Sequence, residues 1–595
     1  MTHYAAPVEE MRFVLEHVAD FASVRALPGC GDVTSDLVTA ILEQAGRFGT
    51  DVLAPINQNG DTKGAVFDAG GVRTPEGFAE AYRQFVEGEW NGLPFAAEFG
   101  GQNLPWVLHT AVQEIWHAAN MSFGLCPMLT QGAIDLLLAH ASPEQKNLFL
   151  PRLVSGEWTG TMNLTESQAG SDLSRIRTRA LPVAGASGTY RLIGQKIFIT
   201  YGEHDMAENI IHLVLARLPE TPPGVRGISL FIVPKFLVAA DGTLARRNDV
   251  WCSSLEHKLG IRASPTAAMS LGDDDGAVGY LVGEAHHGLE YMFTMMNNAR
   301  LAVGLEGVAI AERAYQQARA YARERIQGRS LRSGSGSEAV PIIHHPDIRR
   351  MLMTMKALIE AARGLAYYTA AWIDIARRHP VPSVRAEADS RVALLTPIVK
   401  AWSTDIGMEV ANLGIQVHGG TGFIETTGAA QHLRDARIAA IYEGTNGIQA
   451  NDLVSRKVLR DGGAGARLMI AEMNAALSAP AEKTLPPLRA GLRDALAALA
   501  RATDWLVETK DPVAAQAGAV PYLHLFGLTL GGFMFARAVR AMKGLRAAGG
   551  NGAFLSAKVV TARFYAERLL PQTTSLLAAV MAGAESVMAL PEEDF

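Results

Sequence analysis

The sequence predicts a mainly helical protein of several domains with one β domain at its centre. Three observations carry this reading. The chain has 595 residues, enough for about three to five domains at roughly 100–200 residues each. Hydrophobic residues make up 48% and charged residues 19%, so the chain can bury large cores and is not disordered. The spacing of its apolar residues also changes along the chain, from helical to strand-like and back to helical.

Residues 1–34 read as an N-terminal extension and 35–155 as a helical domain. In HTAVQEIWHAANMSFGL and GAIDLLLAHASPEQKNLFLPRLVSG the apolar residues recur at helical spacing, with Ile134, Leu137 and Leu138 on one face. Ser142-Pro143-Glu144 reads as an N-cap followed by Pro at the first helical position. Residues 156–283 read as a β domain, because TYRLIGQKIFIT, NIIHLVLARL and GISLFIVPKF are β-branched runs punctuated by Gly and Pro. Long helical patterns return over 284–460, interrupted by SLRSGSGSE as a flexible connection. A Gly-rich hinge, DGGAGA from Asp461 to Ala466, opens an Ala/Leu-rich additional helical domain over 461–595.

Charge and cysteine usage exclude several classes of function. Lys+Arg number 54 against 60 Asp+Glu, a net charge of -6, which gives no general attraction to nucleic acid or an anionic membrane. Residues 461–595 hold 13 Lys+Arg and 12 Asp+Glu, a balance that suits packing and oligomerisation rather than nucleic-acid binding. Cys30, Cys126 and Cys252 are far apart and lack CxxC spacing, so neither a disulfide scaffold nor a Cys-rich metal module is expected. The opening MTHYAAPVEEMRFVLEHV has acids where a signal peptide needs a basic start. Leu525 to Ala536 is too short to span a bilayer and contains two glycines. The expectation is a cytoplasmic protein without membrane insertion.

Three segments carry candidate chemistry. TESQAGSD, Thr165 to Asp172, is a loop of small and polar residues that can offer N–H groups and hydroxyls to a flat heteroaromatic ring or a phosphate. Taken alone, such a loop is more often an ordinary surface turn. In GQKIFITYGEHD, Phe198 and Thr200 stand two apart, so a strand turns both to one side; a buried Phe beside a strand Thr reads the same way. HGGTGF, from His418, supplies a Gly-rich turn that permits close backbone approach to a ligand. IYEGTNGIQ follows it and places Glu443 after an apolar run, where a dry pocket would raise its pKa. A lone Glu in a turn is more often solvated.

Taken together and in order, these segments resemble the acyl-CoA dehydrogenase family over about residues 35–455. TESQAGSD resembles its flavin loop, with Ser167-Gln168 in place of a Pro-containing pair. QKIFIT resembles its second flavin segment, with Phe198 where Trp is frequent. HKLGIRASPT, RERIQGRSL, HGGTGF and IYEGTNGIQ match four further signatures. The N-terminus and C-terminal extension are similar to the 3-methylmercaptopropionyl-CoA dehydrogenase-like subgroup. The resemblance implies an N-terminal helical domain, a middle β-barrel, a C-terminal four-helix bundle and a C-terminal helical extension, with FAD as cofactor.

The same resemblance implies roles. Thr165, Gly170, Ser171, Phe198 and Thr200 would line the flavin, with Ser171 also near the pantetheine arm. Arg325, Gln327, Gln416, Gly420, Thr445 and Gly447 would contact FAD. Asn297 and Arg300 match a pantetheine-binding Asp-x-x-Arg pair in which Asn297 removes a charge, and Gly444 would also touch substrate. Glu443 matches the base that takes the α proton as a hydride leaves the β carbon, giving a trans-2-enoyl-CoA in fatty acid β-oxidation. The implied partners are an acyl-CoA substrate, an electron-transferring flavoprotein as acceptor, and a second copy in a homodimer. An acyl-CoA oxidase using oxygen and a flavin-containing DNA-repair-associated relative are the alternatives.

Overall fold

The computed structural model describes residues 4–68, 71–330, 338–477, 485–547 and 549–595. The connection expected over Ser330 to Glu338 falls largely outside them. Helices dominate, and one eight-stranded sheet occupies the middle of the chain. The order is the expected one: helical, β, helical, and a helical extension.

The sheet strands are β1 (Trp158–Asn163), β2 (Arg179–Pro182), β3 (Thr189–Thr200), β4 (Asn209–Arg217), β5 (Ile228–Pro234), β6 (Val250–Leu255), β7 (Thr266–Leu271) and β8 (Ala277–Leu281). Antiparallel pairing runs β3–β8–β5–β4. β2 then joins β3 to β4, so the pairing returns on itself and closes a barrel. β1 extends the ring beside β4, and β7 with β6 extends it beside β3. Every residue of β5 and all but the last of β4 are buried, which explains their unbroken apolar runs. Leu192, Val214, Phe231, Val233 and Met269 form the centre of the barrel core.

The chain divides into two compact units, residues 45–104 with 115–302, and residues 1–44 with 105–114 and 303–595. In the barrel-bearing unit, α1 (Met121–His140) is buried along all but its end, and Ile134 and Leu137 point inward as their spacing predicts. Gly160 of β1 makes the close approach possible, since a Cβ there would stand 2.5 Å from the Ala133 side chain. The predicted cap at Ser142 forms a full capping box with Gln145 and starts the helix Pro143–Ser155.

Three long helices frame the other unit: α2 (Gly288–Glu324), of which it holds the part from Val303, α3 (Pro346–Arg378) and α4 (Pro382–His418). A Cβ at Gly307 would lie 2.2 Å from the Ser403 carbonyl, so glycine is required where α2 crosses α4. A shorter helical stretch, Asn446–Asp452 continuing as one π turn over Leu453–Val458, completes the four.

Among the described residues the extension adds five main helices, including α5 (Ala519–Ala547) and α6 (Gly552–Arg568). Gly527 and Gly531, one turn apart on α5, leave the room that Trp402 of α4 fills. Among the described residues two helices, α1 and the Ala519–Met542 part of α5, have the length and apolarity to cross a membrane, and both are mostly buried inside the protein. The apolar run of α5 is therefore longer than the Leu525 to Ala536 read from sequence.

Buried charge ties this unit together. Arg363 donates to Glu114 at 2.6 and 2.9 Å and to Glu312 at 2.8 Å, while the Tyr367 hydroxyl donates to Glu114 at 2.7 Å. Burial works against the Arg363 charge, yet the two carboxylates hold it firmly protonated. Lys558 of α6 pairs with Glu10 and, at 3.0 Å, with Glu360. A cavity of about 450 Å³ adjoins this cluster, lined by Glu10, Glu312, Lys356 and Arg363 among others; none of the predicted site residues lines it.

Candidate active site

In the barrel-bearing unit, the loop Thr165 to Asp172 leaves β1 and is fastened through Glu166. That carboxylate accepts from the Arg177 and Thr178 amides at 2.6 and 3.0 Å and from the Thr178 hydroxyl at 2.6 Å. It also accepts from Lys196 of β3 at 2.8 Å, with both side chains buried. Burial alone would raise the Glu166 pKa, but Lys196 and the surrounding donors hold it at about 2. Burial pushes Lys196 down to about 8 against the pull of Glu166.

The acid limb of stability follows from those shifts. Glu166 binds its proton less well folded than unfolded, so its contribution is complete above about pH 4.3 and is lost as pH falls toward 2. Acid-unfolding curves should show this loss in wild type and lack it in Glu166→Gln. Identical curves would contradict the assignment.

The ligand-facing residues rest on this anchored frame. The Thr165 carbonyl accepts from the Ile197 amide at 2.9 Å, tying the loop to β3. Between Lys196 and Ile199 the register of β3 against β7 slips by one residue, and Phe198 there has φ +60°. This is a β-bulge, and it re-aims the side chain. Phe198 is 57% exposed and Thr200 half-buried, while Ile199 between them is buried. The regular alternation that would put Phe198 and Thr200 on one face is interrupted by the bulge, and the Phe198 ring is outside rather than in the core. Gly170 and Ser171 are exposed at the loop tip. On α2, the exposed Asn297 accepts from Arg300 at 3.3 Å, so the two residues matched to a pantetheine pair do meet.

In the second unit, Arg325, Gln327, Gln416, Gly420, Thr445 and Gly447 are all exposed. The Arg325 carbonyl accepts from the Ile342 amide at 2.8 Å, and the Gln327 carbonyl meets His345 Nε2 at 2.6 Å. These bonds fix the backbone beyond α2 and leave both side chains outward. α4 ends where Gly419 takes φ +61°, and a Cβ at Gly420 would meet nothing within 4 Å. The buried His418 ring stacks on Tyr321 at 4.5 Å beneath this turn.

The Glu443 turn is held from several sides. Glu443 has φ +56° and Gly444 φ +83°, an uncommon backbone for a Glu that the surroundings must enforce. Lys400 donates to the Gly444 carbonyl at 2.8 Å and to Asn446 Oδ1 at 2.9 Å. Gln449 donates to the Glu443 carbonyl at 3.1 Å. Thr445 caps the helix that follows, accepting from the Ile448 amide. Glu443 itself is half-buried.

The fully buried carboxyl nearby is Glu306, which the sequence reading missed. Tyr442 donates its hydroxyl to Glu306. Burial pushes Glu306 up to about 8, with Glu443 adding to the rise and Tyr442 and Lys400 opposing it. Its signal was present, an acid inside the apolar run LAVGLEGVAIA.

These residues fit FAD. Taken unit by unit, the barrel-bearing unit offers an exposed aromatic ring beside hydroxyls, and the second unit offers an arginine for a pyrophosphate and glycines open to close approach. Comparisons with known proteins agree. The descriptions that match are "Acyl-CoA dehydrogenase, N-terminal domain" over 35–157, "middle domain" over 161–273, "C-terminal domain" over 286–458, and "Acetyl-CoA dehydrogenase C-terminal like" over 469–591. A 3-methylmercaptopropionyl-CoA dehydrogenase of Ruegeria pomeroyi is 51% identical over 96% of this chain and 97% of its own. A butyryl-CoA dehydrogenase of Syntrophomonas wolfei is 33% identical over 100% and 99%. The solved structure of Caenorhabditis elegans ACDH-11 shares the fold, with a TM-score of 0.74 and 19% identity over 96% of this chain and 93% of its own. With its barrel, its loops and near full-length relatives in agreement, the chain belongs to the acyl-CoA dehydrogenase family.

Proposed function

We propose that Glu443 is the general base of this enzyme's reaction, the FAD-dependent α,β-dehydrogenation of an acyl-CoA thioester to a trans-2-enoyl-CoA. The observation that carries the assignment is the strained turn at Glu443, fixed by Lys400, Gln449 and Tyr442 on a chain of this family. When bound, FAD accepts the hydride that leaves the β carbon. The α proton goes to the Glu443 carboxylate, and the electron pair it leaves becomes the new double bond. The backbone of the same turn offers an N–H to the thioester oxygen, where negative charge develops. Phe198, Thr165 and Thr200 would then orient the ring, Arg325 and Gln327 the phosphates, and Asn297 with Arg300 the pantetheine arm.

The substrate reading is a short acyl-CoA, with 3-methylmercaptopropionyl-CoA the first to test. Its support is the 51% identity to the Ruegeria protein and the short chain named for the Syntrophomonas one. Anaerobic mixing with a panel of acyl-CoAs should bleach the flavin, fastest with short chains. Bleaching only by long chains would overturn this.

The acceptor reading is an electron-transferring flavoprotein, and turnover with it should far exceed peroxide formation in air. Equal rates would favour an oxidase. The balanced charge and apolar helices of the extension support a homodimer, and light scattering showing a tetramer would count against it. A cytoplasmic location completes the reading, supported by three cysteines that form no disulfide.

A further inference from the structure

The Glu443 turn is joined to a second carboxyl whose surroundings do not suit a charge. Glu306 lies on α2 with no measurable exposure. One of its oxygens meets the Tyr442 hydroxyl, and the other, Oε1, is buried without a hydrogen-bond partner. Among the described residues Glu306 makes no ion pair. A buried carboxylate with one hydrogen-bond donor and no ion pair is costly; a protonated carboxyl in that place is not.

The groups facing it are few. From α4 comes Lys400, which donates to the Gly444 carbonyl and Asn446. From the turn come Tyr442 and Glu443. Gly307, next to Glu306, packs against the backbone of Ser403 and Thr404, which adds no charge.

We propose that Glu306 is a positioning residue for proton abstraction, a carboxyl that stays neutral so that Glu443 alone carries negative charge at the site. The inference rests on Glu443 being the base. Each acid's charge works against the other's, and Glu443 raises the Glu306 pKa. While Glu306 keeps its proton, Glu443 can remain ionised and ready to accept one. Once Glu306 ionises, its charge opposes both the Glu443 carboxylate and the negative charge growing on the substrate. The Tyr442 bond serves either state, because a hydroxyl can donate to the carboxylate or accept from the acid.

The test is the pH profile of flavin reduction in the FAD-loaded, full-length enzyme. Wild type should show an alkaline limb with a midpoint near 8, falling about tenfold per pH unit beyond it. Glu306→Gln keeps the shape and stays neutral, so its alkaline limb should vanish. Glu306→Asp restores a titrating carboxyl and should restore a limb. Infrared difference titration gives a readout independent of turnover: a protonated-carboxyl band should disappear through the same midpoint in wild type and be missing in Glu306→Gln. An alkaline limb unchanged in Glu306→Gln, or a wild-type profile flat from pH 7 to 9.5, would overturn the proposal. Glu443→Gln in the same series separates the two readings. If it reduces flavin at the wild-type rate, the base assignment fails; if it is inactive while Glu306→Gln keeps its limb, only the present inference fails.

Discussion

Replacing Glu443 by Gln is expected to slow flavin reduction by at least about 100-fold, the usual scale of losing a positioned general base. FAD and acyl-CoA binding should persist, because Lys400, Gln449 and Tyr442 still hold the turn. Glu443→Asp should fall between, since its shorter arm misplaces the acceptor by about one C–C bond. Stopped-flow bleaching with a saturating substrate reads all three. A Glu443→Gln enzyme that bleaches at the wild-type rate would place the base elsewhere.

The largest expected effect on stability comes from Arg363→Met. The substitution leaves Glu114 and Glu312 facing each other without the cation they share, with Arg363 and Glu114 at most 1% exposed. Breaking one side of a buried ion pair costs about 3–5 kcal/mol. Denaturant unfolding of the unit's transition should report that loss. A companion that also carries Glu114→Gln and Glu312→Gln should recover part of it, because no unpaired charge then remains. A loss below about 1 kcal/mol in Arg363→Met would show that solvent reaches the cluster.

Much of this architecture was legible in the sequence because local patterns and tertiary demands agreed. The unbroken apolar runs of β4 and β5 mark strands buried on both faces, and Ser142 announced its helix. The loops at Thr165 and Glu443 were legible through their small residues. The forces that hold them were not. Glu166 and Lys196 are 30 residues apart, and Glu306 and Tyr442 are 136 apart; no local spacing joins them. The bulge that turns Phe198 outward likewise depends on its pairing with β7. The sequence left a dry and a solvated Glu443 both open; Glu443 is half-buried, and the fully buried carboxyl beside its turn is Glu306.

The Lys558 contacts bear on how the protein is made. Glu10 and Glu360 are synthesised 548 and 198 residues before the lysine that neutralises them. On a ribosome adding about 5–20 residues each second, Glu10 must wait for that counter-charge until the last few dozen residues emerge, whereas Glu360 already has Lys356 on its own helix. Over that interval Glu10 has to remain in water, and the N-terminal segment cannot take its final seat against α3. Completion of this unit is thereby deferred to the end of translation. Truncated or stalled products would expose an unclosed, charge-bearing interior to chaperones and proteases, a built-in mark of an unfinished chain.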